Sequence, residues 1–216
     1  MTEPVRAFPA ITEQEFSQAC GVLEQRSSDK ISDTDWLSIR WTGEELLIRE
    51  KRKIICKNAN IEAPSDFNGA DDHELIETGI EDCIDSNSFL PRIDSSVFLI
   101  IDFSITLSPI YSVPVLWFAC RYGQDNKALT LEQVYAWLVP KPSLASLQKV
   151  GVMGGISMAH HPVSDRPAFF VHPCNTQDAL SALEPKSLTP EEYLILWLGL
   201  IGSAVGLHVP SKLVSI

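Results

Sequence analysis

The chain has 216 residues, room for one sizeable domain and too little for two. Its 17 Lys and Arg stand against 28 Asp and Glu, a net charge of −11, so a phosphate backbone is repelled and nucleic acid is not expected as a partner. Five cysteines, at positions 20, 56, 83, 120 and 174, are odd in number and form no CxxC pair, which argues against a zinc ribbon or a disulfide framework and for a reducing, cytoplasmic location. The first ten residues hold no apolar run, so no secretory signal is expected.

Residues 12–25 are expected to form the first helix. Thr12 is its N-cap and Glu15 completes a capping box, while Phe16, Ala19, Cys20 and Leu23 recur at helical spacing and make one buried stripe. A hairpin follows, with strands at 36–41 and 46–56 around a turn at Thr42 and Gly43. The charged run 49–53 reads as a solvated strand or a charge-protected edge. Residues 57–96 turn to Asp, Glu, Asn, Ser and Gly and read as a long acidic insertion within a single domain of residues 1–216. Asp71, Asp72, His73 and Glu74 have ligand chemistry, but no second spaced cluster accompanies them, so a solvated loop is preferred and no metal site is assigned.

Residues 97–107 and 113–122 are rich in β-branched and aromatic side chains and should be central antiparallel strands, with an irregularity at Pro114, which lacks a donor. Cys120, Trp117 and Trp137 read as packed side chains. Residues 123–126 make an exit turn, and Thr130 with Gln133 opens a short helix with a second capping box. Residues 140–162 read as loop, with a helical turn at 143–150 and a flexible glycine-containing stretch at 151–155. His160 and His161 are adjacent, hence a poor joint metal site, and His161 before Pro162 is expected to fix the loop, with direct catalysis as the second reading.

Residues 167–171 then form a short apolar strand that runs up to a cysteine, and the His172-Pro173 pair ends it. Cys174 stands between that strand and a helix expected over 177–183, for which Asn175 or Thr176 supplies the cap. A thiol there is either a nucleophile, favoured as thiolate by the positive end of the helix, or a small packed side chain. Thr189, Pro190 and Glu191 open a last helix. Residues 193–207 are uncharged, too short for a membrane span of ~20 residues, and are expected to continue as one buried helix. Gly199, Gly202, Ser203 and Gly206 would give it a bare face for close approach to a sheet.

The sequence His172-Pro173-Cys174-Asn175-Thr176 after an apolar strand, with residues 111–118 upstream and 197–207 downstream, resembles the autophagy E2-like conjugating enzymes. Within them it is most similar to the branch named for autophagy-related protein ten, over roughly residues 96–210. The resemblance implies an α+β, E2-like core: an antiparallel sheet of about four strands plus a short strand before the cysteine, with helices packed on the sheet.

It implies that Cys174 accepts a ubiquitin-like protein, autophagy-related protein twelve, from an E1-like activating enzyme, autophagy-related protein seven. A lysine of autophagy-related protein five is then the acceptor. No cofactor is implied. Ordinary ubiquitin-conjugating enzymes carry an oxyanion-stabilising asparagine in a His-Pro-Asn motif upstream of the cysteine, and this chain has no such motif. Asn175 is left as either an oxyanion donor or a helix cap, His172 as a proton-transfer or a structural residue, and Tyr111 as the residue that steers the lysine.

A thiol hydrolase and a non-catalytic E2-like module are the competing classes. A lipid-conjugating relative, with phosphatidylethanolamine as acceptor, is the alternative within the family. Glu13, Glu15 and Glu24 on the first helix suit a membrane surface poorly and favour the protein acceptor.

Overall fold

The computed structural model describes residues 3–56, 95–123, 127–140, 155–185 and 187–214. Its centre is a sheet whose long strands are set by runs of β-branched and aromatic residues. β1 (Trp36–Trp41) and β2 (Glu45–Cys56) form the expected hairpin, with Gly43 at φ 101 in the turn. β2 pairs with β3 (Ser95–Leu107) without interruption from Glu45↔Thr106 to Cys56↔Ser95, and β3 pairs with β4 (Pro114–Tyr122) from Leu107↔Pro114 to Leu99↔Tyr122. The irregularity expected at Pro114 does not occur. The proline is the first residue of its strand and the register runs cleanly from it, a position where the missing donor does least harm.

Two strands extend the sheet, one from residues without an expected assignment and one from a stretch expected as loop. β5 (Lys127–Ala128) pairs with the end of β4, and β6 (Ile156–His160) forms an antiparallel hairpin with β7 (Pro167–Val171). Among the described residues the sheet is therefore seven-stranded in the order β1-β2-β3-β4-β7-β6, with β5 beside β4, where about four strands and a short one were expected. β6 lies at the edge with only Ile156 buried, so it carries no alternating apolar pattern. β3 also begins at Ser95, which removes residues 95 and 96 from the acidic insertion. The rest of that insertion, the Asp71–Glu74 group, residues 124–126, the turn at 143–150 and the glycine stretch up to 154 lie outside the described residues.

One face of the sheet carries the core. Leu46, Ile48, Leu99, Ile101, Phe103, Ile105, Leu116 and Phe118 are buried there. They share it with Phe16, Ala19, Cys20 and Leu23 of α1 (Glu13–Ser27) and with Tyr193, Leu194, Trp197, Leu198 and Ile201 of α4 (Pro190–Ile201). α2 (Leu131–Trp137) adds Val134, and a short α5 (Ser211–Val214) adds Leu213. Each of these large side chains contributes about 1.5–3 kcal/mol by burial. Thr12, Thr130 and Thr189 each close a capping box with Glu15, Gln133 and Glu192, satisfying two helix-end donors apiece.

The last helix corrects the expected 193–207. It ends at Ile201, passes into a 3-10 turn (Gly202–Val205) and stops at Gly206, whose φ of 68 is left-handed. Leu207 N–H donates to Gly202 O and Gly206 N–H to Ser203 O, the double closure of a Schellman motif. Gly202 and Gly206 thus serve the helix end rather than a bare face on the sheet, whereas Gly199 is exposed with nothing within 4 Å of where a Cβ would sit.

The charged run on β2 is solvated as expected at Arg49, Lys51 and Lys53, and differs at Glu50 and Arg52. β2 is an inner strand, and on its core side Arg52 donates to Glu50, itself 4% exposed, and to the carbonyl oxygens of Val205 and Gly206. That pair pins the C-terminal turn of the helix to the sheet.

Candidate active site

β7 delivers the cysteine. Phe169 and Val171 are buried, with Phe169 stacked on Phe118 at 5.6 Å. Phe170 points the other way onto Trp117, 4.7 Å between ring centroids, so Trp117 is half-buried on the second face of the sheet and not in the main core. Val171 therefore anchors the strand end, and the chain turns immediately after it. His172 is extended at φ −67, ψ 129, and Pro173 opens a 3-10 turn (Pro173–Asn175) that leads into α3 (Thr176–Ser181). Pro173 is buried; Cys174 is exposed.

His172 caps this turn, and Asn175 stands at the N-cap position of α3 as expected. Nδ1 of His172 accepts the backbone N–H of Cys174 at 3.2 Å, and Asn175 makes no side-chain cap bond to α3. Its ring lies between two others, the edge-on Tyr111 at 5.9 Å and Phe170 at 6.1 Å.

Tyr111 sits in the loop between β3 and β4. That loop closes on itself through Ser108 N–H to Val113 O, Ser112 N–H to Ser108 O and Tyr111 N–H to the Ser108 hydroxyl oxygen, with Ser112 left-handed at φ 50. A side chain that the sequence did not single out joins the two elements: Nε2 of Gln177, on α3, donates to Tyr111 O at 2.6 Å. The two residues are 66 positions apart, so no local pattern signals the contact.

Of the expected site residues, Tyr111, His172, Cys174 and Asn175 thus come together at one end of the sheet. His161 does not join them. It is 5% exposed in the β6–β7 turn, where Nδ1 accepts from Val163 N–H and Ser164 N–H and Nε2 lies 2.9 Å from the Ser104 hydroxyl, which bears out its loop-fixing role. Cys20 and Cys120 are buried, and burial pushes their thiols upward, that of Cys120 to about 12. Among the described residues no group of three or more His, Cys, Asp or Glu is placed to hold a metal ion, and no helix is long and apolar enough to cross a membrane.

The family model described as "Autophagocytosis associated protein, active-site domain" matches residues 15–212. The chain is similar to the ubiquitin-like-conjugating enzyme ATG10 of Gibberella zeae, 43% identical over 114 residues, which cover 52% of this chain and 47% of that protein. It is similar also to the ubiquitin-like-conjugating enzyme ATG10 of Arabidopsis thaliana, 28% identical over 178 residues, covering 80% of this chain and 76% of that one. The match thus spans about half the length of the Gibberella relative. A crystal structure of the autophagic E2 Atg10 covers 92% of this chain and 99% of its own, at 15% identity and a TM-score of 0.49.

Proposed function

The chain belongs to the autophagocytosis associated protein, active-site domain family, and we propose that it is an E2-like carrier whose Cys174 holds a ubiquitin-like protein as a thioester. The exposure of Cys174 at a strand end carries this reading, because a carrier needs one sulfur open to large protein partners while Cys20 and Cys120 are closed to them. The names of the relatives support the same reaction class.

The sulfur of Cys174 attacks the thioester carbonyl on an E1-like activating enzyme, here autophagy-related protein seven. The new thioester forms as the E1 thiolate leaves. A lysine amine of the acceptor, autophagy-related protein five, then attacks the same carbonyl of autophagy-related protein twelve. The amine loses its proton, the Cys174 thiolate leaves, and an isopeptide bond remains. Asn175, beside the sulfur, is the proposed amide donor to the oxyanion. Tyr111 is the proposed guide for the incoming lysine, and its contact with His172 keeps it on the cysteine side of the loop. His172 holds the turn through the Cys174 N–H.

The acceptor is a protein rather than a lipid on this reading. The first turn of α1 is acidic, and its one basic residue near the end, Arg26, is paired with Glu191.

Incubation with activating enzyme, ATP and the ubiquitin-like protein, followed by a gel without reductant, tests the proposal. A reductant-sensitive adduct that disappears in Cys174→Ala is expected. An adduct that survives that substitution overturns the site, and transfer to phosphatidylethanolamine vesicles in place of a protein lysine overturns the acceptor.

A further inference from the structure

Gln177 lies three residues after Cys174, and its side chain leaves α3 for the β3–β4 loop, where Nε2 meets Tyr111 O at 2.6 Å. A carbonyl oxygen only accepts, so the amide must present its nitrogen to the loop. The bond joins two parts of the chain that are each closed by hydrogen bonds of their own and that also meet through the rings of Tyr111 and His172. The loop is closed by the hydrogen bonds of Ser108, and Ser112 O is tied to Ile11 N–H. The cysteine turn is closed by His172 Nδ1 and by Thr176 N–H to Pro173 O. Gln177 shares the short turn-and-helix unit of the sulfur, so whatever it holds is held in register with the thioester.

Resting on the carrier reading above, we propose that Gln177 is a positioning residue: its amide fixes the loop of residues 108–112 against the cysteine turn, so that Tyr111 keeps one place when the acceptor lysine arrives. Besides its own loop, Tyr111 is held from the cysteine side by two contacts, the amide of Gln177 on its carbonyl and the ring of His172 against its side chain. Loading of the sulfur requires no lysine guide, whereas transfer does, so the two steps should respond differently to loss of the bond. Reach and orientation of a nucleophile are steep determinants of rate, and release of one anchor should slow transfer about tenfold.

The test compares Gln177→Glu, which has the same length but no donor and places a carboxylate against a carbonyl, with wild type in three measurements. These are the rate of thioester loading, the discharge of the preformed thioester to hydroxylamine, and its transfer to the acceptor lysine. Loading and hydroxylamine discharge at wild-type rates with transfer slowed about tenfold in kcat are expected. Combined with Tyr111→Ala, the substitution should add no further loss, since it acts through Tyr111.

Wild-type transfer in Gln177→Glu, equal slowing of hydroxylamine and lysine discharge, or a multiplicative loss in the double variant overturns the proposal. If Gln177→Glu does not fold, Gln177→Met keeps the length without an amide and is read the same way. A wild-type protein that forms no thioester at all instead overturns the carrier reading, and the role of Gln177 falls with it.

Discussion

The backbone N–H of Cys174 donates to Nδ1 of His172 at 3.2 Å, so the residue before the proline caps the turn that presents the sulfur. The span from a side-chain acceptor at one residue to the N–H two residues on is that of an Asx turn. Asparagine at position 172 offers an oxygen where the ring offers Nδ1. His172→Asn should therefore keep most of the stability, while His172→Ala loses about 0.5–1 kcal/mol for an exposed neutral hydrogen bond. Urea unfolding of the two variants checks this. Equal losses in both would mean that ring packing against Tyr111 and Phe170, and not the hydrogen bond, holds the turn.

Three described thiols differ in access, and that difference is open to direct measurement. Burial raises Cys20 and takes Cys120 to about 12, so neither forms thiolate near neutral pH in the folded protein, while Cys174 is exposed. Iodoacetamide should label Cys174 in the native protein and reach Cys20 and Cys120 only after denaturation. Peptide mass mapping before and after unfolding reads the outcome, and native labelling of Cys120 as fast as Cys174 would contradict the packing described.

His161 gives the fold a pH dependence of known sign. Nδ1 accepts two backbone N–H groups, so the single proton sits on Nε2, facing Ser104, and a second proton would displace both acceptor contacts. Burial lowers its pKa below the ordinary 6.5, offset in part by the Glu45 carboxylate 3.5 Å from Nε2. The unfolded chain then takes up a proton that the folded chain refuses. Stability from this group is full above the unfolded pKa and falls with pH from about 6.5 down to the folded value. Unfolding free energy should drop between about pH 7.5 and about pH 5.5 in wild type and drop less in His161→Gln, which starts from a lower stability at both. An unchanged slope in the variant would remove His161 from the titration.

Local chemistry was readable in the sequence, and contacts across it were not. The capping boxes at Thr12 and Thr130, the N-cap at Thr189, the β1–β2 hairpin and the strand leading to His172 all depend on residues a few positions apart. β6 escaped because an edge strand with one buried residue need not alternate. Arg52 reads as one of a run of surface charges until a turn more than 150 residues later folds onto it. Tyr111, His172 and Cys174 were each legible alone, the last through family likeness, but Gln177 joins the site only through the tertiary fold.

The glycines near the C-terminus show how one spacing hides two roles, and they separate cleanly by mutation. Gly199 lies on the exposed side of α4 with nothing within 4 Å of a new Cβ, so Gly199→Ala should gain up to about 1 kcal/mol in helix propensity. Gly206 is left-handed, and a Cβ there would come 2.9 Å from Arg52 Nη1 and 3.2 Å from Leu138 O. An L side chain in that conformation costs about 1–2 kcal/mol before any clash. Relief of the clash would move the guanidinium that pairs with Glu50 in the interior, so Gly206→Ala should lose at least about 2 kcal/mol. Urea midpoints should therefore shift in opposite directions for the two alanines at an unchanged slope. A Gly206→Ala protein as stable as wild type would show that the Schellman closure and the Arg52 clamp do not hold the helix end as described.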